Sequence, residues 1–278
     1  MTRAPEDEGG VRRVRAFPPV ACGRTGIDPR TLATTLLVTA TVRNHVRPAM
    51  VGPVSLFTNR SGSSRVQLDG TWLPLRPGAV AVVAAGQEFS LEYGERGAEV
   101  LHLHFDPRLV NELGSPVRPG LRRQPEGLRS ALGRLDAAAR GSEPEGLALE
   151  TLVTGVLGLA HGHRPWPQTS ARTLRPATRA EHQRRIGRVL DFVHAHYNEP
   201  LELARLARVA CLSRFHFLRC FQDVTGTNPA SYVRRVRLDE ATVLLEDPRV
   251  PIDDVARTVG YGSASSLSRA LWRHRRVR

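Results

Sequence analysis

The sequence contains no lysine, so all 40 of its Lys/Arg positions are arginine. Codon bias in a GC-rich genome accounts for such an absence without invoking function. Whatever its origin, each of these cations is a planar guanidinium fork suited to phosphates and guanine edges. Cysteine is also scarce. Cys22, Cys211 and Cys220 form an odd set without CxxC spacing, which argues against a disulfide framework or a zinc site of that kind. Cys211 and Cys220 fall in apolar helical patterns and are expected to be buried and inert. No apolar run approaches the roughly 18–20 residues of a membrane span. The polar, acidic start MTRAPEDEGG lacks the apolar core of a signal peptide, so a cytoplasmic protein without a membrane partner is the expectation. GxSxG, HExxH and phosphate-loop patterns are missing as well, and no catalytic residue is assigned.

What is present points to two domains. The chain has 278 residues, 41% of them hydrophobic, and a net charge of +13. Residues 181–278 hold 17 arginines against 11 acidic residues, and the first 180 hold 23 against 16. The surplus is denser toward the carboxy terminus, which makes nucleic acid a plausible partner, although charge alone does not establish one.

Residues 1–30 are rich in Gly, Pro and Arg and are expected to be weakly ordered. From Thr34 to Asp106 the pattern is strand-like. Thr34–Val42, Val54–Asn59, Arg65–Leu68, Val80–Ala84, Phe89–Tyr93 and Val100–Phe105 are β-branched or alternating runs. Turn signals separate them, among them Ser61-Gly62-Ser63, Asp69-Gly70 and Tyr93-Gly94. This spacing predicts a small β-barrel or sandwich. Pro125–Arg140 and Pro144–His161 then show helical spacing, and such helices could pack on the β-domain or pair with a second copy. Residues 162–180, rich in Pro, Arg, Ser and Thr, read as a linker. After it come helices over Ile186–Tyr197, Leu201–Ala207, Ser213–Gln222, Pro229–Glu246, Ile252–Val259 and Ser265–His274. Asn228-Pro229 supplies a cap and a first-turn proline for the longest of them.

This helical part repeats itself. Leu203, Leu206, Ala207, Ala210, Ser213, Arg219 and Phe221 recur as Ile252, Val255, Ala256, Gly260, Ser263, Arg269 and Leu271. The offset is 49 in the first helix of each copy and 50 in the second, so the second turn carries one extra residue. Each copy has the form of a helix-turn-helix: a short helix, a tight turn with small residues, and a longer helix capped by serine. Phe217 and Phe221, or Leu267 and Leu271, are four apart and face inward. The opposite face then carries Arg214, Phe215, Leu218 and Arg219 in the first copy, and Ala264, Ser265, Ser266 and Arg269 in the second. Such a face can enter a major groove.

Ile186–His274 resembles the DNA-binding domain of the AraC/XylS family of bacterial regulators. The match is carried by Leu206-Ala207, Ser213, Arg219, Phe221, Gly226-Thr227-Asn228-Pro229, Tyr232, Arg237-Leu238, Ala241 and Leu244-Leu245. It continues through Ile252, Val255-Ala256, Gly260-Tyr261, Ser263, Ser265 and Ser268-Arg269. The resemblance implies two helix-turn-helix units joined by the long helix, with recognition helices in successive major grooves. It implies double-stranded DNA as partner, RNA polymerase as a further one, and activation as the output. Ser213, Arg214, Phe215, Leu218 and Arg219, with Ser263, Ser265, Ser266, Arg269 and Arg273, are the DNA-contacting residues it points to. The family pattern closes with an aromatic and a basic residue, Gly, a Ser/Thr-Pro step and Tyr-Arg. Here Leu271-Trp272 is followed by Arg273-His274-Arg275-Arg276-Val277-Arg278. The last helix is therefore expected to be missing, with arginines that contact phosphates in its place.

Many members of that family carry a cupin-like barrel first, and Thr34–Asp106 is similar in layout. The resulting expectation is an α+β chain in four parts. Residues 1–30 form the weakly ordered segment and 31–161 a cupin-like effector or dimerisation domain with flanking helices. Residues 162–180 form the linker, and 181–278 an all-α domain with two helix-turn-helix units. Trp72, His102 and His104 are candidates for an effector pocket. His102 and His104 share a strand face and suit a metal-dependent cupin enzyme. However, Ala85-Gly86-Gln87-Glu88-Phe89 lacks the partner histidine, so neither metal nor cofactor is expected. A basic protein that coats DNA without sequence preference is the other alternative, and it predicts weak, steeply salt-dependent binding.

Overall fold

The computed structural model describes residues 13–17, 35–140, 146–162 and 176–275. They cluster into two compact units. The first contains the strands β1 (Arg13–Phe17), β2 (Thr35–Val42), β3 (His45–Val51), β4 (Ser55–Leu68), β5 (Thr71–Leu75), β6 (Ala79–Val83), β7 (Glu88–His104) and β8 (Gly120–Arg123). Helices α1 (Pro107–Asn111) and α2 (Glu126–Arg140) accompany them, as does all but the start of α3 (Gly146–His161).

The strands form one antiparallel sheet, in the order β1-β2-β7-β4-β6-β8, with β3 added to β7 and β5 to β4. Its two long strands hold the rest. The carboxy-terminal half of β7 pairs with β2 and its amino-terminal half with β3, while β4 pairs along both. The path ends at β1 and β8, so the sheet is open and the expected closed barrel is not formed. The turns expected at Ser61-Gly62-Ser63 and Tyr93-Gly94 are likewise absent. The register slips between Asn59 and Ser61 and between Gly62 and Ser64, which are bulges that bend a strand without ending it. Gly62 sits at φ +71°, and a Cβ there would lie 2.2 Å from the Gly97 carbonyl oxygen. Only glycine fits this corner.

β3 and β8 carry no alternating signal. Pro48 falls where the β3 register breaks, between Arg47 and Met50, a position that tolerates a missing N–H. Arg13–Phe17, expected to be weakly ordered, forms β1 against β2. Inside the sheet, Ala40, Val42, Phe57, Val66, Leu68, Phe89, Leu91 and Val100 form a buried cluster. Polar bonds attach the following segments. Gln124 Nε2 donates to Thr58 Oγ1 (2.6 Å) and to the Ala79 carbonyl (2.9 Å). Arg60 Nη1 reaches both carboxylate oxygens of Asp136 on α2, at 3.0 and 3.1 Å.

The second unit contains residues 146–151 with α4 (Pro176–His196), α5 (Leu203–Val209), α6 (Arg214–Thr225), α7 (Pro229–Leu244), α8 (Ile252–Thr258) and α9 (Ala264–Arg275). α4 starts ten residues before Ile186, the start expected from its apolar spacing. It takes 176–180 out of the expected linker, while 163–175 lie outside the described residues. Asn228 caps α7 by accepting from Ser231 N at 2.9 Å, with Pro229 in the first turn. At α5 the cap residue Glu202 makes no side-chain capping bond, and Glu150 supplies the acceptor for Leu203 N instead.

Two apolar clusters organise the helices. One joins Ile186, Val189 and Val193 of α4 to Leu203, Leu206, Phe217, Phe221 and Val233, with Leu147. The other joins Leu238 and Ala241 of α7 to Val255, Ala256, Val259, Leu267 and Leu271. Tyr197, just past α4, packs against both. The strap Tyr197-Asn198-Glu199 is held from below by Arg237, which is only 7% exposed. Arg237 Nε donates to the Tyr197 carbonyl at 2.6 Å and Nη2 to the Glu199 carbonyl at 2.8 Å. Gly260 (φ +79°) meets the same strap, and a Cβ there would stand 2.6 Å from the Asn198 carbonyl oxygen.

Arg237→Met keeps the apolar stem and removes both donors. Each charge-assisted bond is worth about 1.5–3 kcal/mol and the carbonyls would be left unpaired, so we expect a loss of about 2–4 kcal/mol in urea unfolding followed by far-UV circular dichroism. Arg237→Lys should recover only part of this, because a single ammonium cannot reproduce the guanidinium fork. A loss below about 0.5 kcal/mol, the range of an ordinary surface change, would remove the strap from this account.

Candidate nucleic-acid interface

The turns before α6 and α9 are built alike. Cys211 N donates to the Arg208 carbonyl (2.9 Å) and Leu212 N to the Ala207 carbonyl (3.0 Å). Forty-nine residues on, Gly260 N donates to Arg257 (3.1 Å) and Tyr261 N to Ala256 (2.8 Å). Both are left-handed helix endings of the Schellman type. Cys211 (φ +53°) is thus the counterpart of Gly260 (φ +79°), in place of Ala210 as the sequence repeat suggested. The extra residue of the second turn is Gly262, inserted before the serine cap. Ser213 then accepts from His216 N at 3.4 Å, and Ser263 from Ser266 N at 3.2 Å. Cys211 is exposed in its turn rather than buried, whereas Cys220 is buried as expected.

The outer faces follow from these caps. On α6, Arg219 is exposed, and Arg214 and Phe215 are half-buried beside the exposed Ser213. On α9, Ser263, Ser265, Arg269 and Arg273 are exposed, and Ala264 and Ser266 half-buried. Leu218 corrects the expectation. It is 1% exposed and belongs to the first apolar cluster, because the buried stripe of α6 is wide enough to take it with Phe217 and Phe221. It cannot touch a partner.

Neither Arg219 nor Arg269 joins a carboxylate among the described residues, whereas Arg184, Arg205, Arg249 and Arg257 are paired with acidic neighbours. Arg269 Nη2 donates only to Ser266 Oγ at 3.5 Å, and Ser263 Oγ donates to the same oxygen at 3.0 Å. Arg273 Nε is turned back onto the Arg269 carbonyl at 3.2 Å. The first turns of α6 and α9 contain no acidic residue, while α8 begins with Asp253 and Asp254. No acidic side chain of their own first turns therefore offsets the positive dipole ends of the first two. What the sequence missed is the support. Arg237 stood out only as part of a family pattern, and nothing in its spacing announced that it would be buried under the strap.

The residues expected to line an effector pocket are not brought together as one. His102 and His104 are 4% and 5% exposed, on the sheet face that also carries Phe57. Ser55 Oγ lies 2.8 Å from His104 Nδ1, and Tyr93 Oη 3.3 Å from His102 Nε2, so each is an interior ring with one nitrogen engaged inside the sheet unit. Burial, then the nearby positive charge of Arg47, lowers the pKa of His104 to about 4. Burial, His104 and Arg47 hold His102 well below the usual imidazole range. Trp72 instead packs under the Arg65 guanidinium, 5.3 Å from its ring centroid. An open cleft elsewhere in this unit is lined by Gly78, Leu121, Arg122, Arg123 and Arg129. Arg122 is bonded there to the Arg118 and Ala160 carbonyls, and Arg129 to Glu126.

Comparison with known proteins bears on the second unit. The family described as "Helix-turn-helix domain" matches residues 206–277. The regulatory protein SoxS of Salmonella typhimurium is 32% identical over 92 residues, covering 33% of this chain and 86% of that protein. The probable transcriptional regulator LumQ of Photobacterium leiognathi is 34% identical over 83 residues, covering 30% of this chain. The match spans about a third of LumQ (34%). Among solved structures, an AraC-type transcriptional regulator from Chromobacterium violaceum is 26% identical, covering 35% of this chain and 87% of that one, with a TM-score of 0.33.

The histidine pair sets a pH dependence. A histidine whose folded pKa is depressed contributes stability that is complete above the unfolded value near 6.5 and is lost as pH falls toward the folded value, about 4 for His104. Urea midpoints measured from pH 7.5 down to 4 should fall steeply below 6.5, with about 3 kcal/mol at stake for His104. The fall should be shallower in His104→Gln, and an unchanged slope in that variant would contradict the assignment.

Proposed function

The chain belongs to the AraC/XylS family of transcription regulators, and we propose that it binds double-stranded DNA sequence-specifically through two helix-turn-helix units, α5–α6 and α8–α9. The observation that carries this reading is the matched stereochemistry of the two turns, each followed by a serine cap and, six residues on, an exposed arginine that forms no close ion pair among the described residues. Arg219 and Arg269 are the base-reading residues in this reading, forks suited to guanine O6 and N7. Ser213, Arg214 and Phe215 flank the first, and Ser263, Ser265 and Ser266 the second. Arg273 contributes a phosphate contact, which positions the helix without reading sequence.

The remaining assignments rest on family resemblance. The sheet-containing unit acts as a cupin-like domain that senses a small molecule or pairs two copies, with the segment around 162–175 as linker. The output is activation through contact with RNA polymerase in the cytoplasm. The burial of His102 and His104, with no third donor residue grouped with them among the described residues, speaks against the metal-dependent enzyme alternative.

The test is competitive binding of Arg219→Ala and Arg269→Ala to a library of single-base operator variants. Each substitution should lower discrimination by about 1–3 kcal/mol at its own base step and leave the other step unchanged. Uniform weakening on every sequence, with a salt slope smaller by about 1, would identify phosphate contacts and favour the sequence-indifferent alternative.

A further inference from the structure

One cluster of chemically active side chains in the second unit takes no part in the reading above. His216 and Cys220 lie one helical turn apart on α6 and share a face. His182 projects from α4 toward them. Cys220 Sγ is 3.6 Å from His182 Nδ1, and the two imidazoles meet edge-on with centroids 5.3 Å apart. One ligand atom from each of the three residues lies within 4.8 Å of the other two. We propose that His182, His216 and Cys220 form a binding site for a borderline divalent transition metal, zinc(II) first, which clamps α6 to α4.

The geometry suits that ion. With Zn–S near 2.3 Å and Zn–N near 2.0–2.1 Å, a tetrahedral site needs sulfur and nitrogen roughly 3.5 Å apart and its two nitrogens roughly 3.3 Å apart. The sulfur–nitrogen edge is already close to that length. The remaining separations close by side-chain rotation at half-buried His182 and His216. One sulfur and two imidazoles are the donor mixture zinc accepts, and hard ions such as magnesium refuse it. A cleft lined by Thr178, Glu181, His182, Arg185 and His216 gives the entry path and a place for a water as fourth ligand.

Burial favours the neutral imidazole of His216 and opposes the thiolate of Cys220. Burial, with Arg219, His182 and Arg185 nearby, lowers the pKa of His216, so its nitrogen is unprotonated at neutral pH. Burial raises the Cys220 thiol to about 11. Coordination displaces its proton to solvent and leaves thiolate on the metal. The charged groups facing the cluster are Glu181 and Arg185 from α4 and Arg219 and Asp223 from α6. Two of each sign offset one another. The alternative is a plain thiol–imidazole hydrogen bond, which needs no third donor.

The experiment uses the untagged full chain, stripped with a chelator and titrated with Co²⁺. One equivalent should bring up a thiolate-to-cobalt charge-transfer band and the strong visible bands of a tetrahedral site, and Zn²⁺ should abolish both. His182→Ala changes a half-buried residue, and its folding is checked by circular dichroism. It should weaken Zn²⁺ binding at least about 100-fold, the upper end of the cost of losing even an outer-sphere partner. Cys220→Ser should lose the charge-transfer band. His274→Ala, outside the cluster, should titrate like the parent. A parent protein without the charge-transfer band, or a folded His182→Ala protein with parental zinc affinity, would reduce the cluster to a hydrogen bond. Neither outcome depends on DNA binding.

Discussion

The buried guanidinium of Arg237 holds two carbonyls of one short strap, and the helical unit is arranged around that contact. The strap joins α4 to α5, so its position fixes where the first helix pair begins. Its tyrosine fills both apolar clusters, and its central carbonyl lies against the glycine that turns the second pair. One loop therefore sets the place of both turns, and each turn sets the direction of the helix that follows. A guanidinium suits this role because its planar donors satisfy two buried carbonyls at once and anchor α7 beneath them.

The two helix pairs are alike in stereochemistry and unequal in support. The first tolerates a non-glycine left-handed residue, Cys211, and packs α6 with Phe217, Leu218 and Phe221 into the larger cluster. The second needs Gly260, because its turn meets the strap as closely as van der Waals radii allow, and α9 rests on the smaller cluster. The outer face of α6 carries arginine beside an aromatic, and that of α9 carries arginine among serines. On the proposed reading, these two faces would suit different base edges.

Much of this was legible from residue order, and the failures have physical causes. The helices were found because caps and apolar stripes are local. Asn228-Pro229 and the paired serines mark their ends within a residue or two. The internal repeat located both exposed arginines, because an offset fixed in one helix carries into the next. Leu218 was misplaced because a face inferred from four-residue spacing is narrower than the stripe a packed helix buries. In the sheet, Gly62 looked like a turn, since a bulge and a turn use the same left-handed backbone and only the pairing partner distinguishes them. β3 was lost to Pro48. The roles of Arg237, and of His182 with Cys220, depend on contacts between distant segments, which no spacing rule records.

The most direct measurement of the account is a methylation-protection footprint of the full chain on its operator, resolving guanine N7 in the major groove. Two units held at fixed spacing by one strap should protect two segments on the same face of the duplex, with centres about 10–10.5 base pairs apart. A single protected segment, or protection spread without phase along the DNA, would contradict it.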